Sequence, residues 1–574
     1  MGSDARTLAT RLAEQDDAAL AETLAARSIS PHAAWHDFFD AAESLLDPAQ
    51  LDRALTRLDR AELIGLAAGS AVPGGEAALL ALTDQDDAPY DAVADRIAAV
   101  AASRPDAFVA TAAPAEPLAA EPHAAAAAAE RAFTTAGSLA DVLLACLHTP
   151  LGRTGAGAVS AVDRRRLMDA GAIAAPDDLE DLLGSAADAG LAVAREREWV
   201  VTTAGESWLQ TTTPQRWETV AEGLRAGLPR GIRTPDGGFA APATWPDAYP
   251  LDDDWPERAQ RLRRIGTRWG LFDPDESSPA EFAWTTVLRT GGRADAATMA
   301  PFLPAEIDRV YLQADLTAIA PGPLAPALDL RLRSLALRES RAQASTYRFT
   351  AESLGAGMGE GETAASMREF LAQLSLTGIP QPLEYLIQST ASRHGLVRVR
   401  ADDTTGRTRV DSADEDLLDT MAVDQALRPL GLVGDGGGLS SRVARDAVYW
   451  TLADARYPVI ALDAAGNPEP IHRRAAATSS EPGATPAQAY ERLLATLRRS
   501  HTAGGEAGWL ERELEQAVRA RAEIVVVVRM PDGTERALTL EASGLGGGRL
   551  RGRDRAADIE RTLPVSSIVS VRAA

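Results

Sequence analysis

Two stretches without any apolar period interrupt this chain and set its architecture. The first, 104–130, places Pro105, Pro114, Pro117 and Pro122 among alanines, and the second, 464–487, is rich in Ala, Pro and Ser. Neither supplies the repeating apolar face that a helix or strand must bury. The chain has 574 residues, and a single core stops growing at roughly 250–300 residues. Several domains joined by linkers are therefore expected.

Residues 1–103 read as a helical N-terminal domain, because Leu and Ala recur at spacings of three and four through LATRLAEQDDAALAETLAA and LDRALTRLDRAELIGLAA. After the 104–130 linker, which has a helix-like poly-alanine end, residues 131–212 give three helical patterns and then two short strand patterns, LAVA and WVVT. That succession predicts a winged-helix-like domain. Residues 213–305 read as a helical connecting domain, with an irregular part at 230–256 packed by Trp245, Tyr249 and Trp255. The stretch 306–400 alternates strand and helix as a compact α/β module: VYLQADLTAIAP, TYRFT and LVRVRA are strand-like, while LRLRSLALRES, SMREFLAQLS and PLEYLIQSTASRHG are helical. A helical segment is expected over 401–463. Beyond the second linker, 488–574 begins with helices and ends in three strand patterns, EIVVVVRM, RALTLEA and SSIVSVR. The expected fold class is multidomain and mainly α, with winged-helix segments, one α/β module and a small β-rich C-terminal domain.

Charge and residue usage narrow the function. The formal net charge is −24, so bulk electrostatic coating of nucleic acid is excluded and any DNA contact must be local. Residues 516–574 are the exception, with ten Arg against seven Asp plus Glu. All 58 cations are arginines, because the chain has no lysine. A Walker A loop, a Schiff-base nucleophile and a Ser-x-x-Lys dyad each need an ammonium group, and all three are excluded. The single cysteine, Cys146 in ADVLLACLHT, rules out an internal disulfide and reads as a buried thiol. No signal-peptide core and no long uncharged apolar stretch occurs, so the protein is expected to be cytoplasmic, with no membrane contact.

Few residues carry chemistry. His32 and His36 in HAAWH have the i, i+4 spacing of a metal pair, yet Ala33 stands where a zinc protease has its glutamate, no third ligand is identifiable, and Pro31 marks an ordinary helix start. No catalytic residue, metal or cofactor is assigned. Three glycine runs, 355–361, 434–438 and 544–552, lack the strand-before, helix-after setting of a phosphate loop. The last differs in kind. In GLGGGRLRGRDR, Arg549, Arg551, Arg553 and Arg555 alternate with other residues, and in an extended chain they would share one face. Such a ribbon suits phosphate or single-stranded nucleic acid. Arg164, Arg165 and Arg166 on the second helix of 131–212 form another candidate DNA contact, whereas the third helix carries Asp177, Asp178, Glu180, Asp181 and Asp188 and is a poor match to a phosphate-lined groove.

The words VYLQADLTAIAP, TYRFTAESL, FLAQLSLTGIPQPLEYLI and SRHGLVRV, in that order, resemble the N-terminal domain of XPB-type DNA helicases, the piece compared with the mismatch-recognition domain of the MutS proteins. No motor domain follows it. From about Tyr490 the chain resembles a WYL domain, a small β-barrel linked to helices, although Arg549-Leu550-Arg551 stands near the name-giving Trp-Tyr-Leu position. Taken whole, the sequence resembles the actinobacterial helicase-associated proteins. The resemblance implies a non-catalytic adaptor in DNA repair or processing that binds DNA weakly and locally and docks on an XPB-type helicase or an associated nuclease. Candidate docking residues are Tyr347, Phe349, Pro380, Pro382 and Tyr385. The alternative is a WYL and winged-helix transcription regulator that senses a ligand or nucleic acid.

Overall fold

The computed structural model describes residues 2–111, 116–275, 280–341, 344–402, 404–466, 469, 485–502, 505–530, 533–555 and 557–573. Most of the predicted 464–487 linker lies outside the described residues. The chain folds into two compact units, one made of Met1–Glu116, Leu228–Arg263 and Ser480–Ala574, the other of Pro117–Gly227 and Arg264–Ser479.

In the first unit, the N-terminal helices start where aspartates cap them. Asp16, Asp37, Asp47 and Asp59 each accept a backbone N–H of the first turn, and Asp59 forms a reciprocal capping box with Glu62. Their apolar faces meet in one core around Leu8, Leu24, Phe38, Phe39 and Leu63, and that core also takes in Tyr490, Leu493, Leu494, Leu497 and Trp509 from the far end of the chain. The hydroxyl of Tyr490 donates to the carbonyl of Ile29 at 2.5 Å, and Arg498 pairs with Asp17 at 3.0 Å. The 1–103 segment and the start of 488–574 thus share one core within a single unit. Residues 228–263 join the same unit, where the Trp255 indole donates to the Trp245 carbonyl at 2.6 Å and Tyr249 packs edge-on to Trp255.

The C-terminal sheet has five antiparallel strands rather than the three expected. Their order is Ile559–Pro564, Arg549–Asp554, Glu535–Gly546, Glu523–Arg529 and Ile568–Ala573, and the first and last of these stand at its edges. It is an open sheet, not a barrel. The helix Gly505–Ala520 lays Leu510, Leu514 and Ala517 on one face, against Val526, Leu540 and Leu550. The two further strands, RLRGRD and IERTLP, carry charged residues, Gly and Pro in place of the β-branched run that marks a strand.

In the second unit the end of the predicted 104–130 linker is helical. A 27-residue helix, Pro122–His148, starts at Pro122 and buries Ala125, Ala128, Ala129, Ala132 and Ala136 along one side. It is followed by Leu151–Gly152, Ala161–Asp169, Pro176–Asp188, Ala192–Ala194 and Glu198–Val201, and the three short strands pair with Glu198–Val201 in the centre. The acidic helix Pro176–Asp188 is a core helix: Leu179, Asp181, Leu182, Leu183, Ser185 and Ala186 are buried. Its charges are met by Arg268 on Asp178 at 2.5 Å and by Arg264 and Arg268 on Asp181.

Residues 306–400 form a four-stranded antiparallel sheet, in the order Tyr311–Leu312, Thr317–Ala320, Ser345–Arg348 and Leu337–Arg341, packed by the helices Pro326–Leu335, Ala351–Gly359, Ala364–Leu374 and Gln381–Arg393. The end of LRLRSLALRES is therefore strand, not helix. The module does not stop at 400. The strand Val397–Asp402 belongs to a second sheet of five strands, ordered Val433–Asp435, Gly438–Ser441, Arg407–Ser412, Val397–Asp402 and Val459–Ala461, with its own core. The segment 401–463 is thus α/β, not helical. Its strands of three to six residues carry too short an alternation to register, and the 434–438 glycine run is the turn of a hairpin, with Gly436 and Gly437 at positive φ.

Candidate nucleic-acid interface

At the C-terminal end, Glu535–Gly546 and Arg549–Asp554 form a hairpin closed by Gly547 and Gly548, at φ 60° and 69°. Two successive left-handed residues make the tight turn whose twist matches the strands, a conformation in which a Cβ is strained. Along Arg549–Asp554 the burial alternates. Leu550, Gly552 and Asp554 face the core, while Arg549, Arg551 and Arg553 are exposed on the other side. Arg555 lies just beyond the strand. The guanidinium groups are not equivalent. Arg553 pairs with Asp558 at 2.6 Å and Arg555 with Glu541 at 3.0 Å, whereas Arg549 and Arg551 make no ion pair among the described residues.

The second basic candidate is largely used up within the fold. Arg164 donates to the Val159 carbonyl at 3.2 Å and faces Glu180 at 3.6 Å, and Arg166 pairs with Asp163 at 3.1 Å. Arg165 alone is widely exposed, with Asp169 3.8 Å away.

The docking residues divide sharply. Tyr347 and Phe349 are each 1% exposed and belong to the core of the four-stranded sheet, so neither can meet a partner. The Tyr347 hydroxyl donates to Asp329 at 2.5 Å, and burial with this carboxylate partner pushes its pKa well up. The alternation of TYRFT that marks it as strand also sends Tyr347 and Phe349 inward. Pro380 is half-buried, while Pro382 and Tyr385 are exposed, Tyr385 at 74%.

His32 and His36 do not share a helix face. The next helix begins at Phe38, and His36 turns to Asp40 at 3.2 Å. Among the described residues no group of three or more His, Cys, Asp or Glu could hold a metal ion. Cys146 is buried, its thiol 3.2 Å from the Trp199 carbonyl, and burial raises its pKa to about 11. No helix among the described residues is long and apolar enough to cross a membrane.

A second arginine-bearing hairpin went unread in the sequence. Val397–Asp402 pairs with Arg407–Ser412, bringing Arg398 opposite Asp411, Arg400 opposite Arg409 and Asp402 opposite Arg407. Val397, Val399, Thr408 and Val410 are buried on the other face. Its sequence signal is the alternation VRVRA followed by TG and RTRV, which runs across the boundary expected at 400.

Residues 310–434 match the family model of the helicase conserved C-terminal domain. No curated protein matches the chain. The matched region begins in the first sheet, includes both strands of the second arginine hairpin and ends in the strand Val433–Asp435. The chain therefore carries a helicase-related domain.

Proposed function

We propose that this protein is a non-catalytic accessory factor of helicase-driven DNA repair or processing. The observation that carries the reading is a helicase-related domain at 310–434 in a chain without a single lysine for a phosphate-binding motor loop. The XPB-type resemblance over 306–400 supports it. DNA is met locally, through Arg549 and Arg551 of the terminal hairpin, with Arg165 as a minor contact.

The regulator reading fares worse. The order of strands and helices over 131–212 supports a winged-helix-like assignment, yet the helix that would enter a groove is packed into the core by Leu179, Leu182 and Leu183. A helicase or nuclease partner docks through Pro382 and Tyr385.

Two measurements test the proposal. Purified protein should show no DNA-stimulated ATP hydrolysis, and motor-rate turnover retained after stringent removal of helicase contaminants overturns the non-catalytic assignment. Capture of an XPB-type helicase should fall with Tyr385→Ala and stay intact with Tyr347→Phe, a substitution inside the core. Point variants are preferable to removing 306–400, because that deletion takes away the strand Val397–Asp402 from the second sheet.

A further inference from the structure

One face of the second five-stranded sheet is covered by the helices Glu415–Val423 and Arg445–Asp454, through Leu418, Met421, Val448 and Leu452. The opposite face presents Arg398, Arg400, Arg407 and Arg409 from two adjacent strands. Arg398 and Arg400 are exposed, and Arg407 and Arg409 half-buried.

Three features of this face are poorly explained by folding alone. Arg400 and Arg409 stand directly opposite each other, an arrangement that destabilises a strand pair. One carboxylate, Asp411, serves both, at 3.3 Å and 2.6 Å. Asp402, placed across from Arg407, does not neutralise it. Its oxygens accept from the hydroxyls of Thr404 and Thr405 at 2.5 and 2.8 Å and so hold the turn. Arg407 reaches only the Ser440 hydroxyl at 3.4 Å and Arg398 only the Gly395 carbonyl at 3.4 Å, and neither has a carboxylate partner among the described residues. The result is an array of guanidinium groups at two-residue steps, about 7 Å apart along each strand, on a chain that is otherwise strongly acidic.

We propose that this face binds the phosphate backbone of single-stranded nucleic acid. Guanidinium forks match phosphate oxygens, and a flexible single strand can follow the twist of a sheet, whereas a stiff duplex meets it at only one or two phosphates. The strand residues on this face include no aromatic side chain on which bases could stack, so the contact is independent of sequence. The proposal rests on the reading of the chain as a nucleic-acid-processing factor, but not on the terminal hairpin.

The test uses the full-length protein and a fluorescent oligodeoxythymidine, titrated at several salt concentrations. The double variant Arg398→Ala/Arg407→Ala should weaken binding several-fold and make the slope of log K against log salt shallower by about 1.4, at roughly 0.7 per contact on a single strand. Asp411→Asn, which frees Arg400 and Arg409 from their shared carboxylate, should tighten binding and steepen the slope. Unchanged affinity and slope in both variants overturns the proposal, as does stronger binding to a duplex of the same length. Loss of binding only on changing Arg549, Arg551 and Arg553 to Ala overturns this site and leaves the proposed function standing. No binding by the unaltered protein overturns both.

Discussion

The two arginine hairpins use the same local code and reach different electrostatic ends. In both, arginine alternates with a small or apolar residue, so a single register buries one set and exposes the other. In the terminal hairpin the acidic neighbours take the later arginines, Arg553 and Arg555, one each, and leave the pair beside the turn, Arg549 and Arg551, without an ion pair among the described residues. In the internal hairpin one aspartate is shared between two arginines and the other aspartate is held by the turn. Burial and hydrogen bonding fix the difference. The Thr404 and Thr405 hydroxyls bring Asp402 down to about pH 2, so it stays ionised while directed away from Arg407. Cross-strand neighbours, not the count of arginines, decide which guanidinium groups remain for a ligand.

The largest expected effect tests whether the buried half of the alternation anchors each ribbon. Leu550 is fully buried between strands and helix, and Leu550→Ala should cost about 2–5 kcal/mol, read by denaturant unfolding. Val399→Ala at the matching place in the internal hairpin should cost less, since one fewer carbon is lost. Equal and negligible losses would break the parallel between the two.

The next effect separates the supporting helices. The terminal sheet is backed by a helix carrying Glu513, which is 3% exposed and has no hydrogen-bond partner for either oxygen among the described residues. Burial raises its pKa from 4.5 to about 7. The fold therefore favours the protonated form, and this residue lowers stability progressively as pH rises from about 4.5 through 7. The shift corresponds to about 3 kcal/mol once complete. Glu513→Gln should remove that loss, making the variant more stable than the unaltered protein at pH 8 and nearly equal to it at pH 4. Unfolding titrations at the two pH values check this, and identical pH dependence in both proteins would show that the carboxylate finds a partner. The helices backing the internal sheet bury mainly apolar residues, so the effect should be confined to the unit containing the C-terminal sheet.

The smallest effect concerns the exposed face itself. Changing Arg549, Arg551 and Arg553 together to Ala should make the salt slope for single-strand binding shallower by about 1.4, at roughly 0.7 per phosphate contact. Arg553 is already paired with Asp558 and should contribute little. A change of three contacts would mean that this ion pair opens on binding.

The sequence by itself determined the local grammar of this protein. The aspartates at 16, 37, 47 and 59 fixed helix starts, because a cap needs only the residues of the next turn. The missing lysine fixed what chemistry is excluded, and the alternation in RLRGR fixed which arginines share a face. Tertiary structure decided the rest. That Tyr490 closes on Ile29, that Asp178 and Asp181 are spent on Arg264 and Arg268, and that Tyr347 and Phe349 point inward all depend on partners distant in the chain. A short strand such as Val433–Asp435 or Val459–Ala461 holds too few residues to bury a face by itself, so it exists only once a neighbour completes its hydrogen bonds, and no local pattern encodes who that neighbour is.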